Sequence, residues 1–254
     1  MGCGRLLTVC AREVRGRVVR LGEAVFFEES LMSVKLTRRT LVSTLPLLGL
    51  VACGGSTEST SGVSAAASGE AAAGVRTDAG YQLNAVTDGA PTVTLYTDLQ
   101  CPYCAKADPK YRQAAAELEG TMNVTVRHFP LSMHANAVPA AQAVQAAEAQ
   151  GAYVAMADHL YTHQADWKEI TDTAQFATLM GDYAEALGLD RTRFESDLPS
   201  EEALALIEQE YQDGVAAGVK GTPSFVVEGT KLENVDSATS TADMVAAFKQ
   251  AAGL

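Results

Sequence analysis

The chain has 254 residues, 47% hydrophobic and 20% charged, enough apolar bulk for one ordinary domain or two small ones, which excludes a mini-scaffold and a disordered tail. The formal charge of −12 is unevenly divided: residues 1–52 hold eight Lys/Arg against four Asp/Glu, leaving eleven against twenty-seven in the remainder. So acidic a body offers no basic stripe for phosphates, so nucleic acid is excluded as a partner and proteins or small molecules are expected.

From Met32 the chain reads Met-Ser-Val-Lys-Leu-Thr-Arg-Arg-Thr, then an uncharged stretch from Leu41 to Ala52, then Cys53-Gly54-Gly55, the tripartite order of a secretory signal over residues 32–52. The uncharged stretch has 12 residues, against the ~20 a membrane-spanning helix needs, and Pro46 interrupts it. Leu50-Val51-Ala52-Cys53 resembles the bacterial lipobox, which implies that Cys53 is lipidated and that the exported protein meets the membrane through that lipid only. Arg38-Arg39 resembles a twin-arginine signal, and the two export routes stay open. Residues 1–31 fit no part of this layout and read as a non-native extension upstream of Met32, which sets Cys3 and Cys10 aside. Residues 54–75 carry five Gly, five Ser and six Ala, too little apolar bulk to offset chain entropy. Residues 53–80 are therefore expected to form a flexible linker, its low-complexity part reaching roughly 25 Å r.m.s., with the folded part beginning near Tyr81.

Thr92-Val93-Thr94-Leu95-Tyr96 alternates with period two and predicts a strand, followed by the polar turn Thr97–Gln100 and a helix from Cys101 to about Leu118. Asn123–Phe129 predicts a second strand, so the three elements make a strand-helix-strand unit, most simply a parallel crossover. From Ala135 to about Ala217 the pattern is helical, broken at Gly151, Gly181 and Gly188 and restarted at Pro199-Ser200-Glu201-Glu202. Two short strands, Ser224–Glu228 and Lys231–Val235, then flank Gly229-Thr230, and a last helix runs from Thr241 to about Ala252. The expected class is α/β, with the sheet resumed after a long helical insertion.

Cys101-Pro102-Tyr103-Cys104 follows the first of these strands directly. Two sulfurs at this spacing on a helix's first turn can close a disulfide with little backbone movement. Cys101 lies where unpaired N–H groups and the positive end of the helix dipole converge, which favours thiolate over thiol and makes it both reactive and a good leaving group. Pro102, without an N–H, suits the helix start. A structural disulfide would usually close a longer loop. A zinc site would need two more ligands, and His159 and His163 follow Cys104 by far more than finger-type spacings allow. Inert thiols are disfavoured by the oxidising compartment that export implies.

Gly218–Phe225 is a turn running into a strand, and Gly221-Thr222-Pro223 within it, together with the upstream Cys-Pro-Tyr-Cys, resembles the thioredoxin superfamily. Tyr96–Cys104, then Arg127-His128-Phe129-Pro130-Leu131-Ser132-Met133-His134-Ala135-Asn136-Ala137, then Ala-rich helices, narrow the resemblance to DsbA-like proteins over roughly residues 81–254. The resemblance implies a thioredoxin fold in residues 81–130 and 219–254, with a helical domain, residues 131–218, inserted between the β-α-β half and the β-β-α half. It implies a cis bond before Pro223, which costs little for a proline, and substrate contacts at Thr222, Pro223, Pro102 and Tyr103. Pro109 is expected inside the active-site helix, where it would kink it.

The implied activity is thiol-disulfide exchange with cysteine-containing protein substrates by the Cys101–Cys104 pair, without cofactor or metal, the pair being recycled by a membrane redox partner of the bacterial envelope. Oxidase of DsbA type is the expected direction. Reductase or isomerase action by the same pair, and a tethered peptide-binding protein with a non-catalytic disulfide, are the alternatives. Tyr103 stands where strongly oxidising relatives hold histidine, and should make the pair less oxidising. Pro-Tyr is also the glutaredoxin dipeptide, but export and the helical insertion argue against that family. Many thioredoxin-like proteins bury an acid six positions before the first Cys, and here that position is Leu95. Asp98 is the nearest carboxylate, either a proton relay to Cys104 or a turn and capping residue.

Overall fold

The computed structural model describes residues 74–254. The expected signal, the lipobox cysteine Cys53 and most of the expected linker lie outside the described residues. The last part of that linker is folded. Arg76–Thr77 (β1) and Gly80–Gln82 (β2) form a hairpin whose second strand pairs antiparallel with Asn123–His128 (β4), so the domain starts before Tyr81. The reason is charge pairing that composition does not reveal. Arg76 Nη2 lies 2.6 Å from Glu148, Arg76 Nη1 lies 2.6 Å from Glu210, and Glu210 also accepts the backbone N–H of His128. Gly80, at φ 122°, lets the hairpin close on the carbonyl of Val126, where a Cβ would stand 2.6 Å away.

Thr92–Thr97 (β3) leads into Pro102–Glu117 (α1), which continues through Pro109 and hands over to β4. β3 and β4 pair in parallel, from Thr92 opposite Asn123 to Thr97 opposite His128. Six helices then intervene: Ala137–Glu148 (α2), Tyr153–Thr162 (α3), Gln164–Trp167 (α4), Thr173–Ala186 (α5), Arg191–Asp197 (α6) and Glu201–Ala216 (α7). The chain returns to the sheet as Ser224–Val227 (β5) and Thr230–Lys231 (β6), and ends in Thr241–Ala251 (α8). β6 is shorter than the expected Lys231–Val235, and Gly229, at φ 76°, turns the hairpin. The order β1-β2-β4-β3-β5-β6 places the parallel pair at the centre, in a thioredoxin fold.

Strand alternation sorts the two faces. Val93 and Leu95 of β3, Val124 and Val126 of β4, and Phe225 and Val227 of β5 join Tyr111 of α1 and Met244 and Phe248 of α8 in one buried core. The Tyr111 hydroxyl bonds the carbonyls of Val93 and Thr125, both at 2.9 Å, fastening α1 across the parallel pair. On the other face Tyr96, Phe129 and Val226 meet α7, which can approach because Gly214 has no Cβ; one there would fall 2.6 Å from the Phe129 ring. Side chains cap four later helices: Asp172, Asp190, Ser200 and Ser240 each accept from the amide three residues on. α1 differs in having Cys101 at its N-cap and no side-chain hydrogen bond there.

The Glu210 side chain is only 4% exposed, and burial pushes its carboxyl above the ordinary value even though Arg76 pulls it down. Replacing Arg76 by Ala leaves that carboxylate buried without a countercharge. The expected loss of unfolding free energy at neutral pH, read by urea titration, is about 3–5 kcal/mol. Because a carboxyl raised in the folded state takes up a proton on folding, the loss should shrink as pH falls from 8 to 5. A loss that is small, or independent of pH, would contradict the ion-pair role.

Candidate active site

The turn between β3 and α1 is held from several sides. Asp98 Oδ1 accepts the amide of Gln100 at 2.8 Å, and the Asp98 carbonyl accepts the amide of Cys101 at 3.1 Å. The Gln100 side chain accepts from Asn136 N at 2.8 Å and donates to the carbonyl of Lys168 at 2.7 Å. Gln164 donates to the carbonyls of Leu99 and Cys101, at 2.7 and 3.1 Å. The start of α1 is thereby locked by the α2 and α4 ends of the helical insertion.

Cys101 and Cys104 occupy the first turn in the dithiol form. Cys104 is fully buried, and Cys101 retains 3% exposure beside exposed Pro102 and Tyr103, the latter 57% exposed with the Lys106 ammonium over its ring. Cys101 Sγ lies 3.5 Å from the carbonyl of Thr222, and the Thr222-Pro223 peptide bond is cis. Cys104 Sγ lies 3.5 Å from the amide of Asp98. The structure thus brings Cys101, Cys104, Thr222 and Pro223 together, with Pro102 and Tyr103 on the solvent side.

The two sulfurs hold protons unequally. The hydrogen bond from Cys104 lowers the Cys101 thiol to about 6 against the opposing effect of burial, and the amides of Cys104 and Tyr103 add to that lowering. Those two amides belong to the first turn, so the helix terminus acts through individual N–H groups, second to the neighbouring thiol. Burial, and then the hydrogen bond to Cys101 and its charge, push Cys104 well above its ordinary value. At neutral pH the proton of the pair therefore rests on Cys104 and Cys101 is the thiolate of the two.

The carboxylate of Asp98 faces away from the sulfurs. Its Oδ2 accepts the amide of Leu131 and contacts His134 Nδ1, both at 2.8 Å, so the side chain ties the turn to the loop after β4 while its own amide faces Cys104. His134 is a site residue that sequence reasoning left without a role; its loop lies some thirty residues away, and no local pattern pairs the two. His159 and His163 stack on each other at 4.1 Å between ring centroids and pack against Tyr183. Beside the Thr222 loop a groove of about 220 Å³ opens between Leu131, Met133, Tyr211, Val215 and Val219, with Met133 81% exposed.

The family model described as thioredoxin matches residues 87–247. Among solved structures, a thioredoxin-like oxidoreductase from Silicibacter pomeroyi DSS-3 is 26% identical, superposes with a TM-score of 0.52, and is matched over 66% of this chain and 89% of its own. MdbA from Corynebacterium matruchotii, a thiol-disulfide oxidoreductase, shares the fold at 18% identity and a TM-score of 0.55, over 66% of this chain and 89% of its own. A protein of Salinispora arenicola named Na(+)/H(+) antiporter NhaA 1 is 36% identical over 141 residues, 55% of this chain and 20% of that protein. The chain therefore spans about a fifth of the length of such curated relatives.

Removing the thiol that stabilises the Cys101 anion should reverse its acidity. In the wild type the rate of Cys101 alkylation by iodoacetamide is expected to level off above about pH 6. In Cys104→Ala the inflection should move up toward the ordinary thiol value of about 8.5. An unmoved inflection would show that the helix terminus alone sets the acidity.

Proposed function

The chain belongs to the thioredoxin family, and from that premise we propose that it is a thiol-disulfide oxidoreductase acting on cysteine-containing proteins, in the oxidase direction of DsbA type. The observation that carries this reading is the geometry of the pair: two sulfurs three residues apart on the first turn of α1, Cys104 fully buried and Cys101 3% exposed beside the Thr222 carbonyl and the cis bond to Pro223.

In the oxidase direction a client thiolate attacks Cys101 Sγ of the Cys101–Cys104 disulfide. That bond breaks, and Cys104 leaves as thiolate and takes a proton. The client's second thiolate then attacks its own sulfur in the mixed disulfide and expels Cys101, whose low affinity for protons makes it a good leaving group. Two client thiols become one disulfide, and the enzyme keeps two electrons as the dithiol seen here. The Thr222 carbonyl beside Cys101 supports a role in pairing with client backbone, and exposed Pro102, Tyr103 and the Met133 groove support contacts around it. Run backwards, the same steps reduce or isomerise a disulfide. A thiol near 6 lies between the ~3.5 of a strongly oxidising relative and the ~7 of thioredoxin, which supports an oxidant weaker than the former.

Export, lipidation at Cys53 and recycling by a membrane redox partner complete the proposal. No helix among the described residues is long and apolar enough to cross a membrane. The matching stretch in proteins named as antiporters puts similar sequence in membrane proteins, which supports a site working beside a membrane.

Cys101→Ser should abolish oxidation of a reduced two-cysteine peptide, and Cys104→Ser should accumulate a mixed disulfide on Cys101 that mass spectrometry detects. Undiminished oxidation by Cys101→Ser would remove Cys101 from the catalytic role.

A further inference from the structure

Closing or opening the Cys101–Cys104 bond obliges Cys104 to lose or gain a proton, yet it has no exposed surface. With a client covering Cys101, itself 3% exposed, the front of the site is shut as well. The position six residues before Cys101 is Leu95, buried in the core, and the Asp98 carboxylate is engaged by Gln100, Leu131 and His134. The proton needs another route.

Asp108 lies one turn after Cys104 on α1, and both residues are buried; positions four apart on a helix have Cβ atoms ~5–6 Å from each other. Asp108 lines a cavity of about 10 Å³ with Thr97, Leu99, Arg112, Tyr153 and Tyr161, roughly the room that one water centre needs. The Tyr161 hydroxyl lies 2.7 Å from Thr97 Oγ1. Behind the cavity, Arg112 Nε lies 2.8 Å from Asp108 and Arg112 Nη2 lies 2.5 Å from Asp158, which is 56% exposed. Arg112 and Asp158 also line an open cleft of about 720 Å³. Hydroxyls, cavity and carboxylate thus adjoin one another one helical turn from Cys104, and Arg112 connects them to the open cleft.

We propose that Asp108 is the proton acceptor and donor for Cys104, exchanging its proton across the Tyr161–Thr97 cavity and passing it out at the Arg112–Asp158 cleft. This rests on the exchange chemistry proposed above. At the mixed-disulfide stage the Cys104 proton passes to the Asp108 carboxylate, the freed Cys104 electron pair attacks Cys101 Sγ, and the client thiolate leaves and is protonated by solvent. In the oxidase direction Asp108 returns the proton as Cys104 leaves. The groups around Asp108 suit it to holding a proton near neutrality. Arg112 is its one cation and is shared with Asp158, while α3 adds the neutral phenols of Tyr153 and Tyr161 and β3 adds Thr97. Burial, with Asp158 assisting, raises the Asp108 carboxyl to about 6 despite Arg112, close to the operating pH, where a proton carrier works best.

The test follows the reduced protein with oxidised glutathione by acid quench and mass spectrometry from pH 5 to 8, separating formation of the Cys101–glutathione mixed disulfide from its closure by Cys104. Asp108→Asn should slow closure at pH 7 by about a hundredfold and remove its rise near pH 6, with formation within twofold of wild type. Asp108→Glu should restore the rise. Unchanged closure in Asp108→Asn, an equal fall in both steps, or failure of Asp108→Glu to rescue would each overturn the proposal. Should Asp108→Asn not fold, infrared titration of the wild-type carboxyls decides: the Asp108 midpoint should differ between dithiol and disulfide forms, and identical midpoints refute it. A wild type that forms no mixed disulfide at all would instead sink the exchange reading, and this inference with it.

Discussion

A thiol that shares its proton with a neighbouring sulfur is the interaction on which the site depends. Burial pushes the Cys104 thiol up, so in the resting dithiol its S–H remains a donor and favours a thiolate at Cys101 that burial alone would suppress. Each sulfur thereby sets the other's state. The division of labour between an attacking and a resolving cysteine is a consequence of depth, since Cys101 keeps a sliver of exposure beside exposed Pro102 and Tyr103 while Cys104, three positions on, has none.

Much of the surrounding structure keeps that turn in place. Tyr111 fastens α1 to β3 and β4 through two carbonyls. Gln100, Gln164 and Asn136 bind the start of α1 to the helical insertion, and Asp98 binds it to the loop carrying Leu131 and His134. The insertion is therefore part of the active site's support. Cys101 and Cys104 share its apolar cluster with residues such as Leu160 and Trp167, whereas the opposite side of α1 packs with Phe225 and Phe248 of the sheet and α8.

What could be read from the sequence was what is local. The period-two strand before Cys101, the two-residue spacing of the cysteines, Pro102 at the helix start and the Thr222-Pro223 pair each carry their physics within a few residues, and these brought the fold and the paired sulfurs into view. Residues acting through partners far along the chain were silent. Arg76 sat in what composition marked as linker, because the Ala/Gly/Ser run ends only at Gly74 and its partners are Glu148 and Glu210. The Asp98–His134 contact and the place of Asp108 over the Tyr161 cavity exist only once α3 and the β4–α2 loop are docked. Even for the acidity of Cys101 the sequence points to the helix terminus, since the donor role of Cys104 depends on its burial, which spacing does not show.

The most direct test of a mutually poised sulfur pair is its reduction potential, obtained by equilibrating the protein in glutathione buffers and counting thiols by alkylation and mass spectrometry. The expected result is reversible Cys101–Cys104 disulfide formation at a potential between about −120 and −270 mV, as befits a thiolate less stabilised than in the strongest oxidases and somewhat more than in thioredoxin. A value below about −300 mV would mark a structural disulfide. Either that value or an absence of reversible oxidation would contradict the exchange role assigned to these two residues.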